Sequence, residues 1–118
     1  MASRGYRDLK VWSKSMDLVV SVYKETRVLP NDERFGLTAQ SRRAAISIPA
    51  NIAEGQGRAT HGEFRNQLSN ARGSLNESET LWEIAYRLNY FTKSQRDVLL
   101  ASSDEISRML TALRRSLR

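Results

Sequence analysis

The stretch that decides the fold is Thr60 to Ala85, THGEFRNQLSNARGSLNESETLWEIA. Thr60 followed three residues later by Glu63 is the pattern of a capping box, in which a hydroxyl and a carboxyl satisfy the first free backbone donors of a helix. Phe64, Leu68, Ala71, Leu75, Ser78, Trp82 and Ala85 then recur in alternating steps of four and three. That is a heptad seam, the pattern of helices packing nearly parallel to a neighbour. The seam predicts one long helix ending near Leu88 to Tyr90.

Downstream, Thr92 and Gln95 repeat the capping signal. Leu99, Ile106, Leu110, Leu113 and Leu117 form the stripe of a further helix, with Met109 beside it. Upstream, Asp8 to Val28 carries Leu9, Trp12, Met16, Val19, Val20 and Tyr23 on one helical face, and Pro30 stops it. Phe35 to Gly57 is also helical in period, with Pro49 inside it predicting a kink near Ile46. Gly55 and Gly57 read as its C-terminal stop. No run alternates with the period of a strand. Four helices with short links predict an all-α, antiparallel up-down-up-down bundle forming a single domain over residues 1–118.

Composition narrows the functions. Apolar residues make up 40% of the 118 and charged residues 27%, as in ordinary globular proteins. With no cysteine and one histidine, His61, the chain lacks the donors of thiolate or multi-histidine metal sites and the parts of a cysteine nucleophile. Gly55-Gln56-Gly57 lacks the third glycine of a dinucleotide fingerprint, and no phosphate-binding P-loop occurs. The expectation is a non-enzymatic protein with no cofactor and no metal. No apolar run approaches the ~20 residues of a membrane span, and the charged start MASRGYRDLKVW is unlike a signal peptide. A soluble, cytoplasmic chain without a membrane partner is therefore expected. Nineteen basic residues against 13 acidic ones leave a net charge of +6, and fifteen of the nineteen are arginine. Arginine's planar fork suits phosphate, and a basic excess attracts polyanions.

Two features exceed what an isolated bundle needs. Val11, Leu18, Val22 and Leu29 form a second apolar seam on the first helix, opposite the Trp12/Met16 stripe. A helix that buries one stripe has no use for a second, so these residues are read as an oligomer seam. On the second helix Gln40, Arg43, Ser47, Asn51, Glu54 and Arg58 project within an arc of about 80°, bordered by alanine and isoleucine. This stripe is either structural, with Arg43, Asn51 and Glu54 satisfying one another, or a site for a ligand's phosphates.

The second helix, FGLTAQSRRAAISIPANIAEGQGR (Phe35 to Arg58), resembles the signature of the bacterial four-helix bundle proteins encoded in intervening sequences of the 23S ribosomal RNA gene. DLKVWSKSMDLVVSVYKET (Asp8 to Thr26) and EFRNQLSNARGSLNESETLWEIA (Glu63 to Ala85) resemble the same family. Arg43, Asn51, Glu54, Gly55, Arg58, Gly73, Ser74 and Glu77 match its motifs, while Ser41 stands where the family often has an apolar residue. The resemblance implies a ring-like homopentamer. It also implies an architecture similar to the accessory proteins of diversity-generating retroelements, which bind nucleic acid and a reverse transcriptase. Together with the charge, this gives an expected binder of RNA or DNA through phosphate contacts. The alternative is an adaptor for a protein such as a polymerase or nuclease. The candidate phosphate-contacting residues are Lys10, Lys14, Arg42, Arg108, Arg114, Arg115 and Arg118.

Overall fold

Heptad spacing in each segment produces one amphipathic helix apiece. The computed structural model describes residues 5–117. Among them are four α-helices and no strand: α1 (Lys10–Glu25), α2 (Leu37–Gln56), α3 (His61–Arg87) and α4 (Lys93–Ser116). Short 3₁₀ turns at Gly5–Asp8, Thr26–Val28 and Asn31–Glu33 flank α1 and lead into α2. α1 packs on α2 and α4, α3 packs on α2 and α4, and the most extensive pairing is α2 with α3.

The helix ends follow their local chemistry. The Glu63 backbone N–H donates to Thr60 Oγ1 at 3.1 Å, which starts α3. At α4 the box is reciprocal, with Gln95 N donating to Thr92 Oγ1 at 3.1 Å and Thr92 N donating to Gln95 Oε1 at 2.9 Å. α3 stops at a Schellman turn. Asn89 takes the left-handed conformation (φ 65°), Asn89 N donates to Tyr86 O and Tyr90 N to Ala85 O, both at 2.9 Å. α2 continues through Pro49, which is buried and leaves the Ala45 carbonyl without its helical donor.

The core contains Leu68, Ala71, Leu75, Trp82 and Ala85 from α3 and Leu99, Ile106 and Leu110 from α4, as their seams predict. Phe64, Met109, Leu113 and Leu117 are half-buried against it. Trp82 is wholly enclosed, and its Nε1 is the one fully buried side-chain donor without an acceptor among the described residues.

On α1 the expectation is inverted. Leu18 and Val22 are 1% and 0% exposed, with Val11 and Leu29 also in the core, so within this fold they are not a free oligomer seam. Met16 and Val20 instead face outward, 41% and 60% exposed, with Tyr23 beside them; Leu9, Trp12 and Val19 are half-buried. The reason lies in two hydroxyl residues. Ser15 and Thr26 are buried and fill the gaps in the Val11–Leu29 spacing, making it a continuous seam. Each hydroxyl donates to the carbonyl one turn earlier, Ser15 Oγ to Val11 O at 2.7 Å and Thr26 Oγ1 to Val22 O at 2.6 Å, so burial leaves neither unsatisfied. Ser41 is buried in the same manner of position, on the α2 seam.

Gly55 also differs from its expected role. It lies inside α2 and is buried, and Gly57 is the C-cap. A Cβ on Gly55 would stand 2.8 Å from Gln67 Cβ and 2.9 Å from Phe64 Cδ1, so the missing side chain is what lets α2 close on α3. Gly73, on the exposed side of α3, has nothing within 4 Å of such an atom. Gly55→Ala is therefore expected to destabilise by about 1–3 kcal/mol through overpacking. Gly73→Ala should raise stability by about 0.5–1 kcal/mol through helix propensity. Urea midpoints of the two variants measure this; equal shifts would contradict the close approach at Gly55.

Candidate nucleic-acid interface

Five arginines converge where the first half of α3 faces the last half of α4. Arg65 and Arg72 are seven residues apart on α3, at one heptad position beside the seam residues Phe64 and Ala71. Arg108, Arg114 and Arg115 come from α4. Between them lies a groove of about 490 Å³ lined by Leu68, Ser69, Arg72, Leu110, Thr111, Arg114 and Arg115. It continues past Arg65 and Leu117 at one end and past Arg108, Ser107 and Ala112 at the other.

Two of these guanidinium groups, on Arg65 and Arg72, are held in place by neutral acceptors. Arg72 Nη1 donates to Thr111 Oγ1 at 2.9 Å, and the Thr111 hydroxyl donates to Ser107 O at 3.0 Å. Arg65 Nη1 donates to the Leu117 carbonyl at 2.5 Å. Both acceptors are neutral, so each guanidinium is oriented while its charge stays available. Among the described residues lining the groove the one carboxylate is that of Asp104, which pairs with Arg108 at 2.5 Å one turn away.

The other expected basic residues lie elsewhere. Lys10 is exposed at the start of α1. Lys14 is 3.3 Å from Glu105 Oε1 and joins α1 to α4. Arg42 is a structural clasp rather than a free surface base. Its Nε donates to Thr26 Oγ1 at 3.0 Å, its Nη2 to Tyr23 O at 3.3 Å, and its guanidinium lies 4.5 Å from the centre of the Tyr23 ring. Arg118 lies outside the described residues. The sequence signal for Arg65 and Arg72 was their shared heptad position, visible only once α4 is known to pack on that side.

The polar stripe of α2 does not satisfy itself as one structural reading expects. Arg43 is exposed and makes no hydrogen bond or ion pair among the described residues. Glu54 pairs with Arg58 one turn later, not with Arg43. Asn51 is half-buried, and the Ser47 hydroxyl donates to Ser74 Oγ at 2.6 Å, linking α2 to α3.

Further along the same α3–α4 face the charges balance. Arg96 reaches Glu83 Oε1 at 3.2 Å and Asp97 Oδ1 at 3.1 Å and lies 4.1 Å from the centre of the Tyr86 ring. Hydrogen bonding from Arg87, with Arg96 beside it, holds the Glu83 carboxyl below the usual carboxylate range. Hydrogen bonding from Lys93, then Arg96, does the same for Asp97. Among the described residues no group of three metal-capable side chains converges, and no helix is long and apolar enough to cross a membrane.

A family model of the 23S rRNA-intervening sequence proteins matches residues 7–112. The chain belongs to this family. It is also similar to the crystal structure of a protein of unknown function from the S23 ribosomal protein family of Bacteroides thetaiotaomicron VPI-5482. That likeness has a TM-score of 0.81 and 30% sequence identity, covering 88% of this chain and 97% of that one. No curated protein matches this chain. The stretches quoted above from Asp8 to Ala85 fall wholly within the span matched by this family.

A folded-state pKa that is depressed adds stability at neutral pH that disappears as pH falls through it. Arg96→Gln should therefore lower stability at pH 7, and the deficit relative to wild type should shrink as the pH is taken down to about 3. Thermal melts across that range check this; a deficit independent of pH would contradict the assigned pairing.

Proposed function

We propose that this chain is a non-enzymatic, cytoplasmic, homo-oligomeric four-helix bundle that binds RNA or DNA through phosphate contacts. The observation that carries the reading is the α3–α4 groove, where Arg65 and Arg72 are oriented by neutral acceptors and face Arg114 and Arg115. Cations preorganised in this way lose little freedom when a phosphate arrives. The net charge of +6 adds long-range attraction for a polyanion. Membership of a family named for 23S rRNA intervening sequences supports RNA among the candidate ligands. Binding of this kind carries no sequence information of its own.

An antiparallel up-down-up-down order is supported by the pairs across α3 and α4. Arg65 meets Leu117, Arg72 meets Thr111, Glu79 meets Ser103 and Glu83 meets Arg96, so one chain number rises as the other falls.

Self-assembly is supported by the outward apolar stripe of α1, Met16, Val20 and Tyr23. A homopentamer is the assembly that the family resemblance implies, and it replaces the Val11–Leu29 seam with this opposite face. The same stripe favours the second reading, an adaptor for a protein partner, if it stays uncovered in the assembled form.

Fluorescence anisotropy of a mixed-sequence RNA across a salt series tests the main reading, on protein whose mass is fixed by light scattering. Affinity should fall steeply with salt, with a slope on a log–log plot of about −3 for four arginine contacts to a single strand. Arg72→Gln with Arg114→Gln should remove about half of that slope, and Lys10→Gln should leave it unchanged. The mass should be five times the 13.5 kDa chain. No binding at low salt would overturn the nucleic-acid reading in favour of the protein adaptor.

A further inference from the structure

We propose that copies of this chain join head to tail, with the outer seam of α1 on one copy packed against the outer seam of α3 on the next. This rests on the homo-oligomer reading above and names its two faces. On α1, Met16, Val20 and Tyr23 recur in steps of four and three and are 41%, 60% and 38% exposed. On α3, Gly73, Glu77, Thr80 and Ile84 recur in the same steps, with Leu88 one turn further on. All five are exposed. Heptad spacing on an outer face is what a helix needs to pack nearly parallel to another. The chain itself supplies no helix to cover either seam.

Gly73 is the observation that singles out α3. A glycine inside a 27-residue helix weakens it, and its own chain gives no reason for one, since a Cβ there would meet nothing within 4 Å. At Gly55 the reason is a neighbouring helix, with Gln67 and Phe64 closer than 3 Å to such an atom. A neighbouring helix accounts for Gly73 in the same way if it belongs to another copy. The missing side chain leaves a notch on the outer seam, and Val20, the most exposed of the α1 stripe, is a knob that fits it.

The unpaired charges match. Asp17 and Lys24 flank the α1 seam, one after Met16 and one after Tyr23, and neither makes a hydrogen bond or ion pair among the described residues. Such flanking positions carry the interhelical ion pairs of heptad packing. Arg43 on α2 and Glu77 on α3 are exposed and equally without partners among the described residues. The Ser47–Ser74 hydroxyl pair, one turn from each, brings them to the same level of one face. Arg43 is thus available to Asp17 of the next copy, and Glu77 to Lys24.

The topology makes the contact head to tail. α1 and α3 each pack on α2 and α4 and not on one another. One copy therefore cannot close its own two seams. A contact between unlike faces is heterologous, and repeating it generates a ring where the rotation closes.

The test is disulfide trapping of Val20→Cys with Ile84→Cys in the full chain, which has no cysteine of its own. α1 and α3 do not touch within a chain, so a disulfide between them joins two copies. Mild oxidation of the double variant should give a ladder of covalent multimers. Co-expressed single variants should give only dimers, and either single variant alone should stay uncrosslinked. Gly73→Leu fills the notch with a good helix former. It should raise the dissociation constant of the assembly about tenfold or more by light scattering on dilution, with helix content by circular dichroism retained. Val20→Cys that crosslinks alone as well as the co-expressed pair would overturn the inference in favour of a two-fold contact. An assembled double variant that stays uncrosslinked, or unchanged assembly of Gly73→Leu, would overturn it while leaving the homo-oligomer reading in place. A single-chain mass for the unaltered protein would overturn both.

Discussion

α2 and α3 can lie as close as they do only because position 55 has no side chain. Gln67 and Phe64 occupy the space a methyl group would need. The same economy runs through the seams, where Ser15, Ser41, Ala44, Ala45, Ala71, Ser78, Ala85 and Ser103 are all buried. Small residues at seam positions draw the helices together, and the hydroxyls of Ser15 and Ser78 return their hydrogen bonds to the preceding turn of their own helix. Ser47 and Ser74 then join α2 to α3 by a direct hydroxyl pair.

α3 committed to α2 in this way meets α4 through longer side chains. Its cross-links to α4 are Arg65 to Leu117, Arg72 to Thr111, Glu79 with Ser103, and Glu83 with Arg96. Long polar arms leave a furrow where small residues would have closed one. Charge is distributed unevenly along it. Around Arg96 every cation has a carboxylate, and the result is a balanced network that contributes to folding. Around Arg72 the acceptors are a hydroxyl and a carbonyl, so the positive charge persists at the surface. Arginines that join the two helices thus fall into two kinds, those neutralised by carboxylates around Arg96 and those held by neutral acceptors at Arg65 and Arg72.

The third and fourth helices were legible because their seams are complete and their caps carry the expected residues; the structure starts α4 just after Thr92 and ends α3 at Leu88. The first helix is ambiguous from its apolar residues alone, because two stripes compete on it. Ser15 and Thr26 decide the matter, since a hydroxyl that bonds its own backbone serves as a core residue. Gly55 reads as a helix stop in one dimension, and only the neighbouring Phe64 and Gln67 reveal its purpose. Of the candidate interface, Arg108, Arg114 and Arg115 could be placed from the phase of α4. Arg65 and Arg72 could not be joined to them without knowing that α3 and α4 pack side by side. Arg42 looked like a surface base because its partners, Tyr23 and Thr26, lie on another element.

The proposed seat of the polyanion, the furrow between α3 and α4, can be located by photo-crosslinking. A single-stranded oligonucleotide carrying 4-thiouridine would be irradiated on the full chain and the crosslinked peptides mapped by mass spectrometry. Adducts confined to residues 65–72 and 108–117 are expected. Adducts concentrated on the outer face of α1, or on Arg43 and its neighbours on α2, would contradict it.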